Sequence, residues 1–321
     1  MKIPFVVKLG ISLSLLTLLL FNFDIPAIAV ILARSDLYFV AAAICTLLLF
    51  FVISTYKWQM LLKSAASTAS YWELLHLNLL GQFYNMVLPG QVGGEVVKSV
   101  RLRHFDVSTQ RSAVSVLADR STGLLALLLL GLAGLAFSPS GTQADEIFLP
   151  WTLLLIVLLT GLVVFLLTGR GLGFFLRVSN GLPVSRIKRV YAFLDGLNAI
   201  RSERTSWRSI WGLFGLSFVA QAVVGLLNLL VCLSLGIHLP IPTIMWITAI
   251  VLVAQALPIS IAGLGVREGM YVYMLVQQGI SAQTALAVSV LMFVAQLTIA
   301  LLGGVVELRT LLAQKRTLQT R

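Results

Sequence analysis

Apolar runs long enough, or nearly long enough, to cross a lipid bilayer recur along the whole chain. A transmembrane α-helix needs about 20 consecutive, predominantly apolar residues. Runs that approach or exceed this length occupy six segments: residues 9–23, 38–56, 113–137, 149–167, 211–235 and 284–308. Only 11% of the residues are charged, whereas a soluble domain carries about 25%. The sequence therefore predicts an all-α polytopic membrane protein with about six transmembrane helices.

Basic residues are unevenly distributed among the segments that join these runs. The net charge is +11, and the segment richest in Lys and Arg is residues 170–208. Residues 138–146 carry Asp145 and Glu146 but no basic residue. Because Lys and Arg are enriched in cytoplasmic loops, we expect a multi-pass protein of a bacterial-type cytoplasmic membrane with its N- and C-termini cytoplasmic. Cytoplasmic loops rich in Lys and Arg account for the positive net charge, so no nucleic-acid partner is expected.

Two segments allow alternative interpretations. Residues 9–23, followed by Ala27-Ile28-Ala29, also fit a cleaved signal peptide, although a retained first span is favoured because further spans follow. Within the basic segment, apolar residues at steps of three and four predict an amphipathic helix at residues 183–202. That helix either lies along the cytoplasmic leaflet or packs only on its cytosolic neighbours.

The apolar run at residues 74–88 ends abruptly at Pro89. Pro89 cannot donate a helical hydrogen bond, and Gly93 and Gly94 free the backbone just beyond it. The run is shorter than a full span, and basic residues flank it on both sides. We therefore expect residues 74–103 to form a re-entrant hairpin that enters and leaves on the cytoplasmic side.

A second interrupted run, residues 244–279, carries Pro258, Gly263 and Gly265. Because the span that follows it ends in a basic tail, the charge distribution places both ends of this segment outside. It is therefore predicted to be a second re-entrant hairpin, oriented opposite to the first.

The two breaks resemble each other in sequence. The residues Leu88, Pro89, Gly94 and Lys98 recur at identical offsets as Leu257, Pro258, Gly263 and Arg267. The string Ala-Val-Ser-Val-Leu follows each break, at residues 113–117 and 287–291. We therefore predict one transmembrane domain, residues 1–321, built as an inverted repeat with halves at about 38–137 and 209–308. Paired broken helices in inverted repeats are typical of transporters, whose sites lie where the breaks meet.

Ionisable residues beside or within the apolar runs are the candidate substrate-binding residues, because charges inside a membrane are costly and mark functional sites. These residues are Glu95, Lys98, Arg101, Asp119, Arg120, Arg267 and Glu268. The helix-break residues are expected to shape the site without taking part in its chemistry: Pro89, Gly93, Gly94, Pro258, Gly263 and Gly265.

Lys98 and Arg101 follow the start of a helix near Gly94, whose positive end would favour a lipid phosphate. In the alternative interpretation Lys98 pairs with Glu95 at the helix end, and Arg101 faces cytoplasmic headgroups. Glu95 either balances these cations or receives a cationic headgroup.

Asp119 lies on a helix face with three hydroxyl-bearing residues, Ser112, Ser115 and Thr122, which predicts a polar stripe directed into the bundle. Arg120 projects about 100° away from Asp119 and is expected to pair with Glu95 or Glu268. Arg267 and Glu268 lie at the start of the second half-helix, as Lys98 lies near the start of the first. They either contact substrate or form a buried pair that fixes the hairpin.

Motifs for other chemistries are missing from the sequence. The string Gly94-x3-Lys98-Ser99 lacks the glycine that precedes the lysine of a phosphate-binding loop. The three histidines are dispersed, which does not fit a metal site. We therefore expect no metal, no cofactor and no enzymatic activity.

Three groups of residues follow one another along the chain: Pro89-x3-Gly93-Gly94-Glu95-x2-Lys98, then Asp119-Arg120, then Leu257-Pro258 with Gly263-x-Gly265-x-Arg267-Glu268. In their order and spacing they resemble the motifs of a flippase-like membrane family. This family includes the transmembrane region of lysylphosphatidylglycerol synthases, and the resemblance covers nearly the whole chain. It implies movement of lipids between leaflets, including aminoacylated phospholipids. The chain stops at Arg321 without a soluble aminoacyl-transfer domain, so synthesis of a lysyl lipid is not expected.

These observations favour lipid translocation through an amphipathic groove between the hairpins. The expected partners are membrane lipids with an anionic or otherwise charged headgroup, either phospholipids, aminoacylated phospholipids or polyprenyl-linked lipids. The alternatives are a membrane enzyme that modifies a lipid headgroup or polyprenyl phosphate, and a non-transporting partner of a lipid-modifying enzyme. The sequence leaves homodimerisation open.

Overall fold

The structure is a computed structural model that describes residues 24–63, 68–87, 93–105, 107–138, 142–168, 207–256, 260 and 263–319. All regular structure in these ranges is helical. The helices, in chain order, are α1 (Ile25–Ala33), α2 (Leu37–Lys63), α3 (Tyr71–Val87), α4 (Gly93–Arg101), α5 (Thr109–Ala136), α6 (Gln143–Thr168), α7 (Trp207–Ser234), α8 (Ile241–Ala256), α9 (Val266–Val276) and α10 (Ala282–Gln319). A 3-10 turn, Leu102–Phe105, links α4 to α5.

Five helices are long and apolar enough to cross a membrane, so the predicted all-α polytopic fold is confirmed. They contain the segments Leu37–Leu62, Arg111–Ala136, Asp145–Val164, Trp211–Ser234 and Ala282–Leu308. Each coincides with one of the six predicted spans. The sixth, at residues 9–23, lies outside the described residues, as do the predicted amphipathic helix at 183–202 and nearly all of the basic segment.

Helix α1 was not predicted. Asp24 caps its first turn by accepting a hydrogen bond from the Ala27 amide at 3.2 Å, and a proline in that turn is compatible with helix initiation. Ile28 packs with Leu286 and Ala287 of α10. The short helix is thus held by packing on a transmembrane neighbour, which local sequence does not reveal.

The first interrupted run forms two packed helices, α3 and α4. The Gly94 amide donates a hydrogen bond to Asn85 Oδ1 at 2.8 Å. A Cβ atom on Gly94 would lie 1.9 Å from the carbonyl oxygen of Gly81, so the two helices approach as closely as glycine permits. The break between them, including Pro89, lies outside the described residues.

The second interrupted run forms α8 and α9, which also pack on each other. Gly263 and Gly265 precede α9 with φ angles of 75° and 83°, a backbone region that favours glycine. The Gly265 amide donates to Glu268 Oε2 at 2.7 Å, which caps the start of α9. Pro258 lies outside the described residues.

The two hairpins enter the bundle from opposite ends. Helix α4 leads through the 3-10 turn into the start of α5. The other hairpin begins beside the far end of α5, where the hydroxyls of Ser138 and Thr243 are 2.8 Å apart. Tyr273, near the end of α9, packs against Phe148 near the start of α6 with ring centroids 6.1 Å apart. The second hairpin therefore also ends on that side.

The first helix of each hairpin packs on a long helix from the other predicted half of the chain. Helix α3 packs on α10, α8 packs on α5, and α2 packs on α7. Glycines allow both hairpin contacts: a Cβ on Gly303 would lie 2.2 Å from the carbonyl oxygen of Leu79, and one on Gly131 would lie 2.3 Å from Ala249 Cβ. Small residues at helix interfaces are typical of membrane bundles. An inverted repeat predicts such an exchange of contacts, and the repeat itself stays a prediction.

Candidate functional site

A cavity of about 350 Å³ lies inside the bundle where the inner ends of the two hairpins meet. Asn85 and Met86, at the end of α3, line it together with Gln255 and Ala256, at the end of α8. Helices α2, α4, α5, α7 and α10 supply the rest of its wall. The volume falls within the range of about 300–1,000 Å³ that is typical of small-molecule sites.

The wall of this cavity is divided between apolar and polar side chains. The apolar part includes Leu47, Phe50, Leu124, Leu227, Leu252 and Met292. The polar part contains five ionisable residues, Lys57, Glu95, Lys98, Asp119 and Arg120. An amphipathic chamber within an apolar bundle can therefore hold a polar group beside aliphatic chains.

Lys57 and Asp119 form an ion pair between α2 and α5. Lys57 Nζ lies 2.9 Å from Asp119 Oδ1, and the side chains are 5% and 20% exposed. Lys57 Nζ also donates to the backbone carbonyl of Asp119 at 3.0 Å. The predicted polar stripe is present, because Ser112, Ser115 and Thr122 are all buried on α5.

Glu95 and Arg120 form a second ion pair, which joins α4 to α5. Their side chains are 20% and 35% exposed, so both remain accessible from the cavity. The predicted alternative in which Lys98 pairs with Glu95 is wrong, because Glu95 pairs with Arg120 and Lys98 donates to Asn78. Glu95 is thereby fixed beside a cation.

Lys98 is held by neutral groups. Its Nζ donates to Asn78 Oδ1 at 2.9 Å and lies 4.9 Å from the ring centroid of Trp58, a cation-π contact. Asn78 in turn donates to Thr55 Oγ1 at 2.8 Å. No carboxylate of the described residues lies within ion-pair distance of Lys98. The cavity therefore presents one ammonium group without a paired anion.

Amide side chains complete the polar wall: Gln82, Asn85, Gln221, Gln255 and Gln296. Gln255 is 9% exposed, and its Oε1 accepts no hydrogen bond within the described part of the chain. Gln296 Oε1 accepts from Arg267 Nη1 at 3.3 Å. An unfilled buried acceptor is costly, so Gln255 indicates a position for a ligand donor.

Arg267 and Glu268 lie behind the cavity wall and pair with each other. Arg267 Nε also donates to Ser289 Oγ at 3.1 Å, and the guanidinium lies 5.1 Å from the Phe293 ring. Both residues are buried, and among the described residues it is Gln296 that connects Arg267 to the cavity. Their arrangement matches the predicted buried pair that fixes the hairpin.

Arg101 lies outside the cavity lining and pairs with Glu307 of α10. His76 Nε2, on α3, is 3.7 Å from Glu307 Oε2. Both ends of the first hairpin thus lie beside the same residue of α10, and Arg101 forms the ion pair with it. Of the seven sequence candidates, the cavity brings together Glu95, Lys98, Asp119 and Arg120.

Lys57 and the amides were not predicted as site residues. The span at 38–56 was expected to stop before Lys57, but α2 continues to Lys63, and Trp58, Leu61 and Leu62 beyond it are buried. The glutamines inside the apolar runs could have been predicted as site residues, because polar side chains within a membrane tend to face the bundle interior.

Comparison with protein families matches residues 5–304 to the family described as Lysylphosphatidylglycerol synthase TM region. Comparison with individually curated proteins gives no match. The family match covers most of the chain and includes both hairpins and every residue that lines the cavity. The chain is therefore a member of the lysylphosphatidylglycerol synthase transmembrane-region family and a multi-pass membrane protein.

Proposed function

We propose that this protein is a flippase-like lipid translocator of the cytoplasmic membrane. Its substrate would be a phospholipid, an aminoacylated phospholipid or a polyprenyl-linked lipid. The headgroup passes through the cavity while the acyl or prenyl chains remain among apolar side chains and lipid. The observation that carries the proposal is the charged, amide-rich cavity at the meeting point of two opposed hairpins.

A headgroup crossing the bilayer must lose its hydration. Moving an isolated charge into a low-dielectric interior costs on the order of tens of kcal/mol by an idealised solvation estimate. Lys98 and the amides offer replacement hydrogen bonds, and the two ion pairs keep the remaining charges compensated when no headgroup is bound. A polar chamber within an apolar bundle is the feature that lowers such a barrier.

The paired hairpins support a transport role more directly than an enzymatic one. Broken helices whose inner ends meet at a central site are a recurring plan of transporters. Both carboxylates that line the cavity are held in ion pairs, Asp119 with Lys57 and Glu95 with Arg120. A catalytic acid or base would have to leave such a pair.

The test is a flipping assay with purified protein in liposomes that carry fluorescent phospholipids in both leaflets. An impermeant quencher reaches only the outer leaflet unless the protein exchanges lipids. Wild-type protein is expected to expose lipid beyond the outer-leaflet fraction. The variant Lys98→Ala, which removes an ammonium group that lines the cavity, is expected to remain at the protein-free level.

A matched control is Arg34→Gln, which removes an exposed charge at the end of α1, outside the cavity. This variant should flip lipid as the wild type does. Wild-type liposomes that match protein-free liposomes for anionic, aminoacylated and polyprenyl lipids would contradict the proposal. A covalently altered lipid in those samples would then favour an enzyme, and an unaltered one would favour a partner of a lipid-modifying enzyme.

A further inference from the structure

The described residues that line the cavity carry an excess of positive charge. Three cationic side chains, Lys57, Lys98 and Arg120, and two carboxylates, Glu95 and Asp119, line it. Each carboxylate is paired with one cation, which leaves Lys98 as the one of these cations that has no ion-pair partner among the described residues. A bound monoanion would complete the charge balance of these five side chains.

A cationic headgroup finds no counter-charge in this arrangement. To pair with Glu95 or Asp119, an ammonium group would have to displace Arg120 or Lys57. Lys57 is 5% exposed and makes two contacts with Asp119, so its displacement would leave a buried ammonium unpaired. Uncompensated buried charge is strongly unfavourable, and the remaining positive charge of the cavity would repel the ligand.

Lys98 is suited to hold a phosphate oxygen. An ammonium group has three donors, and the contacts described here use one for Asn78 Oδ1. Asn78 and the Trp58 ring position the ammonium without neutralising it. Hydrogen bonds between an ammonium group and phosphate are charge-assisted and are among the stronger kinds.

The amides that line the rest of the polar wall are suited to hydroxyl groups. A hydroxyl both donates and accepts, as an amide side chain does. Gln255 Oε1 is a buried acceptor that has no donor in the described part of the chain. Asn85 and Gln296 each use the amide oxygen within the protein, toward Gly94 and Arg267, and among the described residues no acceptor takes up their amino groups, which can act as donors. This combination fits several hydroxyls beside one phosphate.

We infer that the site selects a lipid with a single phosphate joined to a neutral, hydroxylated headgroup, with no cationic group. The inference rests on the proposed function and narrows its substrate class. The anchor of such a lipid can be diacylglycerol or polyprenol, because both present the same headgroup chemistry. Aminoacylated and zwitterionic phospholipids are disfavoured by the unpaired Lys98 and the occupied carboxylates.

Binding is measured through thermal stabilisation of the purified full-length protein in detergent, because a ligand of the folded state raises its unfolding temperature. The probes are phosphatidylglycerol, phosphatidic acid, phosphatidylcholine, lysylphosphatidylglycerol, a glucosyl phosphopolyprenol and soluble glycerol 3-phosphate. Phosphatidylglycerol or the glycosylated prenol is expected to bind at least about tenfold more tightly than the zwitterionic and cationic lipids. Equal or tighter binding of lysylphosphatidylglycerol or phosphatidylcholine would overturn the inference.

Two variants test recognition of the phosphate and recognition of the hydroxyl groups separately. Lys98→Gln should weaken binding of the preferred lipid about ten- to hundredfold, while Lys98→Arg should retain the preference because it keeps the charge. Gln255→Leu should reduce the preference for phosphatidylglycerol over phosphatidic acid about three- to tenfold. Arg34→Gln should change neither. Unaltered selectivity in both Lys98→Gln and Gln255→Leu would contradict the assignment.

The flipping assay distinguishes failure of this inference from failure of the proposed function. Equal flipping of phosphatidylcholine and phosphatidylglycerol would support translocation and overturn the selectivity. Selective binding without any flipping would support the headgroup assignment and contradict translocation. Glycerol 3-phosphate that binds as tightly as phosphatidylglycerol would keep the headgroup chemistry but assign the site to a soluble polyol phosphate.

Discussion

Lys57 Nζ lies 2.9 Å from Asp119 Oδ1 and joins two transmembrane helices beside the cavity. The residues are far apart in sequence, and the pair fixes α2 against α5 on the side that faces the ligand. The amino group also reaches the Asp119 carbonyl, so a single lysine constrains both the backbone and the side chain of α5.

Removing one partner of this pair should cost more than removing both. Lys57→Met leaves Asp119 without its cation, and we expect a loss of about 2–3 kcal/mol of stability, because the carboxylate keeps some access to the cavity. Lys57→Met/Asp119→Leu should recover most of that loss. The measurement is the thermal unfolding midpoint of each variant in detergent. A loss in the double variant equal to the sum of the losses in Lys57→Met and Asp119→Leu would show that the two side chains do not interact.

The close approach of Gly81 and Gly94 should make the first hairpin intolerant of a methyl group. Gly94→Ala places a Cβ atom 1.9 Å from the Gly81 carbonyl oxygen, so the hairpin must open and folded yield should fall severely. Gly161→Ala is the matched control, because nothing lies within 4 Å of its Cβ position. The measurement is the monodisperse fraction after purification. Equal yields of the two variants would contradict this helix contact.

Local sequence predicted the elements of this fold better than the connections between its residues. Proline and glycine act on their own backbone, so the ends of α3 and α8 were predicted within a few residues. The partner of Asp119 depends on how α2 packs, and neither the apolar run nor its basic end indicates that Lys57 turns inward. Arg120 was assigned two potential partners, and only the packing of α4 on α5 selects Glu95. Repeat symmetry predicted that the hairpin ends meet, but not that amides line their meeting point.

The second hairpin is anchored by a hydrogen bond from Trp246 Nε1 to Asp145 Oδ1 at 2.7 Å. Trp246→Phe keeps the aromatic packing but removes the donor, so the buried Asp145 oxygen loses a partner. We expect a stability loss of about 1–3 kcal/mol. Trp151→Phe is the control, since Trp151 is 64% exposed and should lose little. Thermal midpoints that shift equally in both variants would argue against a specific anchor.

The opposite entry of the two hairpins requires α5 to cross the membrane, and cysteine labelling can test this. Ser108 caps the start of α5, and Gln143 begins α6 just beyond its far end; both side chains are exposed. In a Cys45→Ser background, which removes the exposed native thiol, an impermeant maleimide should label Gln143→Cys in intact cells. It should label Ser108→Cys only after permeabilisation, because the flanking basic residues favour the cytoplasm.

The labelling result separates topology from orientation. Labelling of both cysteines in intact cells would place the two ends of α5 on one side and contradict the opposed hairpins. The reverse pattern would keep the opposed hairpins but invert the molecule, which would make the predicted cytoplasmic termini wrong. The native Cys232 is 4% exposed and should remain unlabelled in either case, so it serves as an internal check that the bundle stays folded during the reaction.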